Sequence, residues 1–180
     1  MNANRLGNHR EMAQISDSQP AQLDDVDHQI LRLLQADGRR SYRQIARELE
    51  VSEGTVRFRV NKLQESGALT IIAIADPFQL GYRIMAFLLL KVEPGKQNDV
   101  VNAISTWEEA TYVSTCIGNA DIYFQFVCRD NDHLYDILQN RIPTIGGILS
   151  YETFMELKIH KVSYGYPISG RQVADEPQGE

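Results

Sequence analysis

Apolar residues recur at helical spacing through the first third of the chain and at strand spacing beyond it. Behind Asp24, a good N-cap, Val26, Ile30, Leu33 and Leu34 form one stripe, and Gly38 supplies its stop. Ser41 opens a second helix with Gln44 three residues on, a capping box, and Tyr42, Ile45, Ala46 and Leu49 follow at i, i+3, i+4 and i+7. That helix stops near Glu50. Ser52 caps a third helix whose inner stripe is Val56, Val60 and Leu63 and whose end is Gly67. Only about three residues separate the second and third helices, which is the spacing of a helix-turn-helix.

After Gly67 the period becomes that of β-structure. "LTIIAI" (69–74) predicts a connecting strand and "DPFQLGY" (76–82) a turn-rich hinge. There follow a strand over 84–92, a helix over 96–107 with Val100, Ile104 and Trp107 inward, and a strand over 112–117. A turn over 118–121 leads into a strand over 122–127, a helix over 131–141 and a last strand over 148–161. The order β-α-β-β-α-β is that of a ferredoxin-like domain, an antiparallel sheet with both helices on one face. The fold class is therefore α+β, an N-terminal three-helix helix-turn-helix domain followed by a C-terminal ferredoxin-like domain. The expected divisions are an arm over 1–22, the helix-turn-helix over 23–68, a linker strand and hinge over 69–83, the ferredoxin-like domain over 84–163 and a flexible tail over 164–180.

Charge sharpens this division. The whole chain carries a formal −6, yet residues 39–62 hold seven basic side chains against three acidic ones, while residues 70–180 hold eight basic against fourteen acidic. The helix-turn-helix is built for an anionic partner and the larger domain is not. Stepping 100° per residue from the inner stripe, the third helix turns Gly54, Thr55, Phe58, Asn61 and Lys62 outward, with Arg57 and Arg59 on its flanks. A helix fits the major groove of double-stranded DNA and reads base edges from its N-terminal end. Thr55, Arg57, Phe58 and Asn61 are the candidates for base contact. Arg59 and Lys62, with Arg43 and Arg47 on the second helix and Ser52 at a positive helix end, are candidates for phosphate. Phe58 admits a second reading, packing against a neighbouring helix.

Other classes find little support. No segment approaches the roughly 18 apolar residues of a membrane helix, the polar N-terminus lacks the apolar core of a signal peptide, and two cysteines without metal-type spacing suit a reducing cytoplasm. Scattered histidines and the lack of a nucleophile elbow, phosphate-binding glycine loop or zinc-type spacing argue against an enzyme, and no cofactor or metal site is expected. If the 118–121 turn closes a hairpin, Ile117 faces Ile122 and Cys128 faces Thr111. The cysteines then lie on the order of 16 Å apart, beyond disulfide reach, and remain free thiols.

The opening "LDDVDHQIL", the "DGRRS" corner, "IARELEVSEGTVRFRVNKL" and the closing "GAL" strongly resemble the DNA-binding half of the Lrp/AsnC, or feast/famine, family of transcriptional regulators. The resemblance continues through the second domain to about Lys161. It implies homodimers formed through that domain, often assembled into tetramers or octamers, and a small effector, usually an amino acid, bound near the turn between the middle strands. The family's glycine followed three residues later by aspartate matches Gly118 and Asp121 in "STCIGNADIYF", and Thr153 lies where the family often turns a threonine toward the pocket. Asn119 and Ala120 stand where leucine-responsive members carry an acidic and an aromatic residue, which leaves the effector's identity open. Asp121 and the amides of a tight turn suit the two charges of an amino acid; Gly118 and Asp121 also suit a plain hairpin turn. An architectural DNA-wrapping protein without effector control is the alternative to a regulator.

Overall fold

The computed structural model describes residues 21–168. The expected N-terminal arm lies almost wholly outside the described residues, as does the tail from residue 169. Within them the chain divides into two compact units, one spanning residues up to Ala73 together with those from Ser163, the other Ile74–Val162.

The first unit is built on α1 (Asp25–Ala36), α2 (Tyr42–Glu48) and α3 (Glu53–Glu65). Their apolar stripes meet in one core of Ile30, Leu31, Leu34, Ile45, Ala46, Val56, Val60 and Leu63, closed by Leu69. Each helix starts where a side chain satisfies an otherwise orphan amide. The Asp24 carboxylate accepts from the Asp27 amide at 2.9 Å, the Ser41 hydroxyl from the Gln44 amide at 3.3 Å, and the Ser52 hydroxyl from the Thr55 amide at 3.0 Å. Ile168, from the segment expected as a loose tail, packs against this core, and its carbonyl accepts from Arg32 at 3.3 Å. The expected connecting strand does not form. Leu69 is buried, while Ile71, Ile72 and Ile74 are exposed and the backbone has no sheet partner. A strand needs a neighbour for its ladder, and the described residues offer none there.

The second unit contains β1 (Ile84–Val92), α4 (Gln97–Ile104), β2 (Ala110–Thr115), β3 (Ile122–Cys128), α5 (Asn131–Asp136) and β4 (Ile148–Met155). The sheet order is β2-β3-β1-β4, every pair antiparallel. Ala86, Leu88, Leu90, Phe124 and Phe126 pack on one face with Val100 and Ile104 of α4 and Leu134 of α5, so both helices cover the same side. α4 ends three residues short of expectation, in a turn where the Trp107 amide donates to the Ile104 carbonyl. Trp107 still points inward, edge-on to Phe124 at 5.7 Å. Beyond α5 the helical path widens into a π-turn (Ile137–Arg141) and a 3-10 turn (Ile142–Thr144) that contains Pro143, and Gly147, at positive φ, follows before β4.

Two strand expectations are corrected. β4 stops at Met155 rather than Lys161, because β1 runs out of partner residues near Ala86 and only the Glu156 amide still reaches Met85. The β2–β3 register is displaced by two residues from expectation, with Thr115 rather than Ile117 opposite Ile122 and the Cys116 amide on the Asp121 carbonyl, which leaves a four-residue loop, 117–120. A shift of two keeps the residue pairs from Tyr112 to Thr115 on their expected faces, while an irregularity between Ala110 and Tyr112 moves the register by one more residue. Both cysteines are free, as expected; Cys128 is fully buried and faces Ile84 of β1. Burial pushes its thiol up to about 12. Alkylation of the native chain near about pH 8 should therefore label Cys116 and spare Cys128, with both labelled in denaturant. Native labelling of Cys128 would contradict the burial shown here.

Candidate nucleic-acid interface and effector turn

The corner between α2 and α3 turns on Glu50, which holds a left-handed backbone (φ 54°) where glycine is the easier choice, and the Val51 amide closes it on the Ala46 carbonyl. This sets the outer face of α3. Arg57, Phe58, Asn61 and Lys62 are exposed there, Thr55 and Arg59 half-buried, and Arg43 and Arg47 are exposed along α2. Phe58 leaves 70% of its surface exposed and belongs to neither hydrophobic core of the described residues.

The basic residues divide into two kinds. Among the described residues Arg43, Arg47 and Lys62 form no ion pair, so their charge is available to a partner. Arg40 pairs with Glu48. Arg57 lies 3.1 Å from Glu53 one turn back and 5.6 Å over the Tyr42 ring, a light tether on an exposed side chain. Arg59 is committed inward: its Nη1 donates to Asp24 at 2.6 Å and to Asp27 at 2.9 Å, and Asp27 is the one buried charged residue among those described. The Arg59 hydrogen bond holds the Asp24 carboxyl below its usual range. Sequence placed Arg59 on a flank facing phosphate; the structure gives it the task of pinning the start of α1 to α3. Ser52 and Thr55 share a hydroxyl contact at 2.8 Å, so the Thr55 hydroxyl belongs to the helix cap.

At the other candidate site, Gly118 adopts φ 135° in the loop leaving β2, and Asn119 is exposed. Asp121 Oδ2 accepts from the Val92 amide at 3.0 Å, and its Oδ1 lies 3.4 Å from Lys91 Nζ, which also donates to the Gly118 carbonyl at 3.2 Å. The Val92 amide, aided by Lys91 against the cost of burial, lowers the Asp121 pKa. Lys91 was not singled out in the sequence; its alternation with buried Leu90 and Val92 in β1 was the available sign. Thr153 pairs with Leu88, two strands from β3 and about 10 Å along β1 from Lys91, so one chain does not bring it to the Gly118–Asp121 turn. A third polar cluster lies inside the second unit, where Glu109 accepts from Arg141 at 2.9 and 3.2 Å and lies 3.1 Å from His133. Burial raises the Glu109 pKa, but the Arg141 pair outweighs it and the net direction is down. Arg141 also stacks over Trp107 at 4.1 Å, so this cluster is a brace. Among the described residues no group of acidic, histidine or cysteine side chains is arranged to hold a metal, and no helix is long and apolar enough to cross a membrane.

Residues 23–64 match the AsnC-type helix-turn-helix domain and residues 85–166 the Lrp/AsnC ligand binding domain. The chain belongs to the Lrp/AsnC family. A helix-turn-helix transcriptional regulator of Pyrococcus abyssi is 38% identical over 154 residues, 85% of this chain and 98% of that protein. The regulatory protein AsnC of Escherichia coli is 32% identical over 138 residues, 76% of this chain and 91% of its own. The solved structure of the E. coli protein superposes with a TM-score of 0.76 at 28% identity, over 82% of this chain and all of that one. A regulator from Neisseria meningitidis, solved as its L-Met complex, shares the fold with a TM-score of 0.75 at 20% identity, over 81% and 97% of the two chains. This member of the Lrp/AsnC family is thus a transcriptional regulator with a helix-turn-helix and a ligand-binding domain, and its relatives are regulators rather than enzymes.

Proposed function

We propose that this Lrp/AsnC protein binds specific sites in double-stranded DNA through α3 and that an amino acid alters its assembly or its DNA affinity. The carrying observation is the cationic set Arg43, Arg47 and Lys62, exposed on α2 and α3 and without an ion pair among the described residues, in a chain of net charge −6. Such charges release counterions from DNA, so log affinity should fall linearly with log salt. Replacing Arg47 with alanine should reduce that slope by about one for each copy bound, and weaken binding to all sequences alike. An unchanged slope would remove Arg47 from the interface.

The amino-acid effector rests on the turn. Asp121 offers a carboxylate to an ammonium group, Lys91 beside it offers a cation to a carboxylate, and the regulator of the L-Met complex has the same fold. The engagement of Asp121 by Val92 and Lys91 favours the other reading, an architectural protein without effector. Thermal-shift screening against the common amino acids separates the two, since a ligand of the folded state raises its stability. Asp121→Asn keeps an acceptor for the Val92 amide and removes the charge. It should abolish the effector's change in DNA affinity and leave effector-free affinity within about twofold. A normal response would place the pocket elsewhere.

Assembly as a homodimer, and from it a tetramer or octamer, is supported by the uncovered face of the sheet. Phe87 stacks on Tyr123 at 5.1 Å and on Phe154 at 4.8 Å, and Tyr112 meets Tyr123 edge-on at 5.7 Å. An aromatic patch of this kind marks a protein contact.

A further inference from the structure

Gly54 stands in the first turn of α3, where the chain's own packing gives no reason for a glycine. It is not among the glycines with positive φ, and a Cβ added there would meet nothing nearer than Ser52 Oγ at 3.6 Å, an ordinary contact. Alanine would be the better helix former. Phe58 lies one turn on along the same face, and its ring overhangs the surface while Val56, Val60 and Leu63 already close the core beneath. Gly54, Thr55, Phe58 and Lys62, together with the Asp24–Arg59 ion pair, line an open hollow of about 440 Å³. A side chain is missing where the fold tolerates one, and beside it an apolar ring is presented where the fold needs none.

We infer that Gly54 is the point of closest approach between α3 and DNA, and that the Phe58 ring beside it reads the C5-methyl group of a thymine in the major groove. The inference rests on the DNA-binding reading above and names what that surface selects. A phenyl ring has neither donor nor acceptor, so polar base edges gain nothing from it; thymine alone shows the groove a methyl group. The bare backbone at Gly54 lets a base edge advance against the helix, which brings that methyl to the ring. Lys62, one turn beyond Phe58, stands over the phosphates that bound the groove.

The test uses the full chain and a duplex enriched by the wild-type protein from a random library, with a scrambled duplex as control. Gly54→Ala should melt at the same or a higher temperature. It should bind the enriched duplex at least about tenfold more weakly, while its affinity for the scrambled duplex stays at the wild-type value. Exchanging one thymine of the enriched duplex for deoxyuridine, which removes only the methyl, should weaken wild-type binding about fivefold and leave Phe58→Ala unaffected. The inference is overturned if Gly54→Ala binds like wild type, if it melts lower, if no thymine methyl matters, or if Phe58→Ala dissociates the assembly. Failure of the wild-type chain to enrich any duplex would sink the DNA-binding reading itself, a result distinct from an enriched duplex that tolerates Gly54→Ala.

Discussion

Replacing Arg59 with alanine should lower the stability of the helical unit by about 3 kcal/mol, because it leaves the Asp27 carboxylate buried without its counter-ion. The Asp27 side chain is only 6% exposed and Arg59 26%, so water screens this pair far less than the surface pairs around it. The sole tryptophan, Trp107, lies in the sheet unit, so the two units report separately. In urea the Arg59→Ala chain should lose helical circular dichroism ahead of the Trp107 fluorescence change, which should keep the wild-type midpoint. A loss below about 1 kcal/mol would return Arg59 to the class of ordinary surface pairs. The pH dependence has a definite sign. With the Asp24 pKa held below its ordinary 3.8 by Arg59, the unfolded chain takes up the proton first. The contribution is therefore complete above that value and is lost as pH falls through the lower folded one. Arg59→Ala should flatten this acid limb.

The caps explain why the helical unit was legible. Asp24, Ser41 and Ser52 act on amides three residues away, so their signal is local and the helix starts followed from it. The role of Arg59 was not legible, because its partners lie 32 and 35 residues earlier and only the packing of α1 on α3 brings them to it. The sheet shows the same contrast. The unbroken apolar run Ile84–Leu90 announced a strand without saying which face would be buried, and the length of β4 and the register of β2 depend on where the neighbouring strand ends. At the candidate effector turn the glycine and aspartate were found through the resemblance to the family's pattern. The Lys91 ammonium that occupies Asp121 arrives from a different strand, and Thr153 is held away by the order of the strands.

Phe87→Asp should convert the proposed homodimer to monomers and reduce affinity for a duplex with two half-sites by at least about a hundredfold, with affinity for a single half-site nearly unchanged. Phe87 lies at the centre of the uncovered sheet face, opposite Gln125 on β3 and Phe154 on β4, with Tyr123 stacked on its other side. A carboxylate there would have to shed its water at the middle of an aromatic contact, a cost large enough to dissociate a modest interface. The helix-turn-helix would be untouched, since Phe87 belongs to the other compact unit. What disappears is the gain from two reading heads engaging one duplex, where the second binding event is intramolecular. Phe87→Leu, which keeps an apolar surface, should remain assembled and retain most of the affinity. Light scattering and titrations against one-site and two-site duplexes distinguish the cases. A Phe87→Asp chain that stays assembled would move the contact off this face. A monomer with undiminished two-site affinity would show that paired reading heads contribute nothing to recognition.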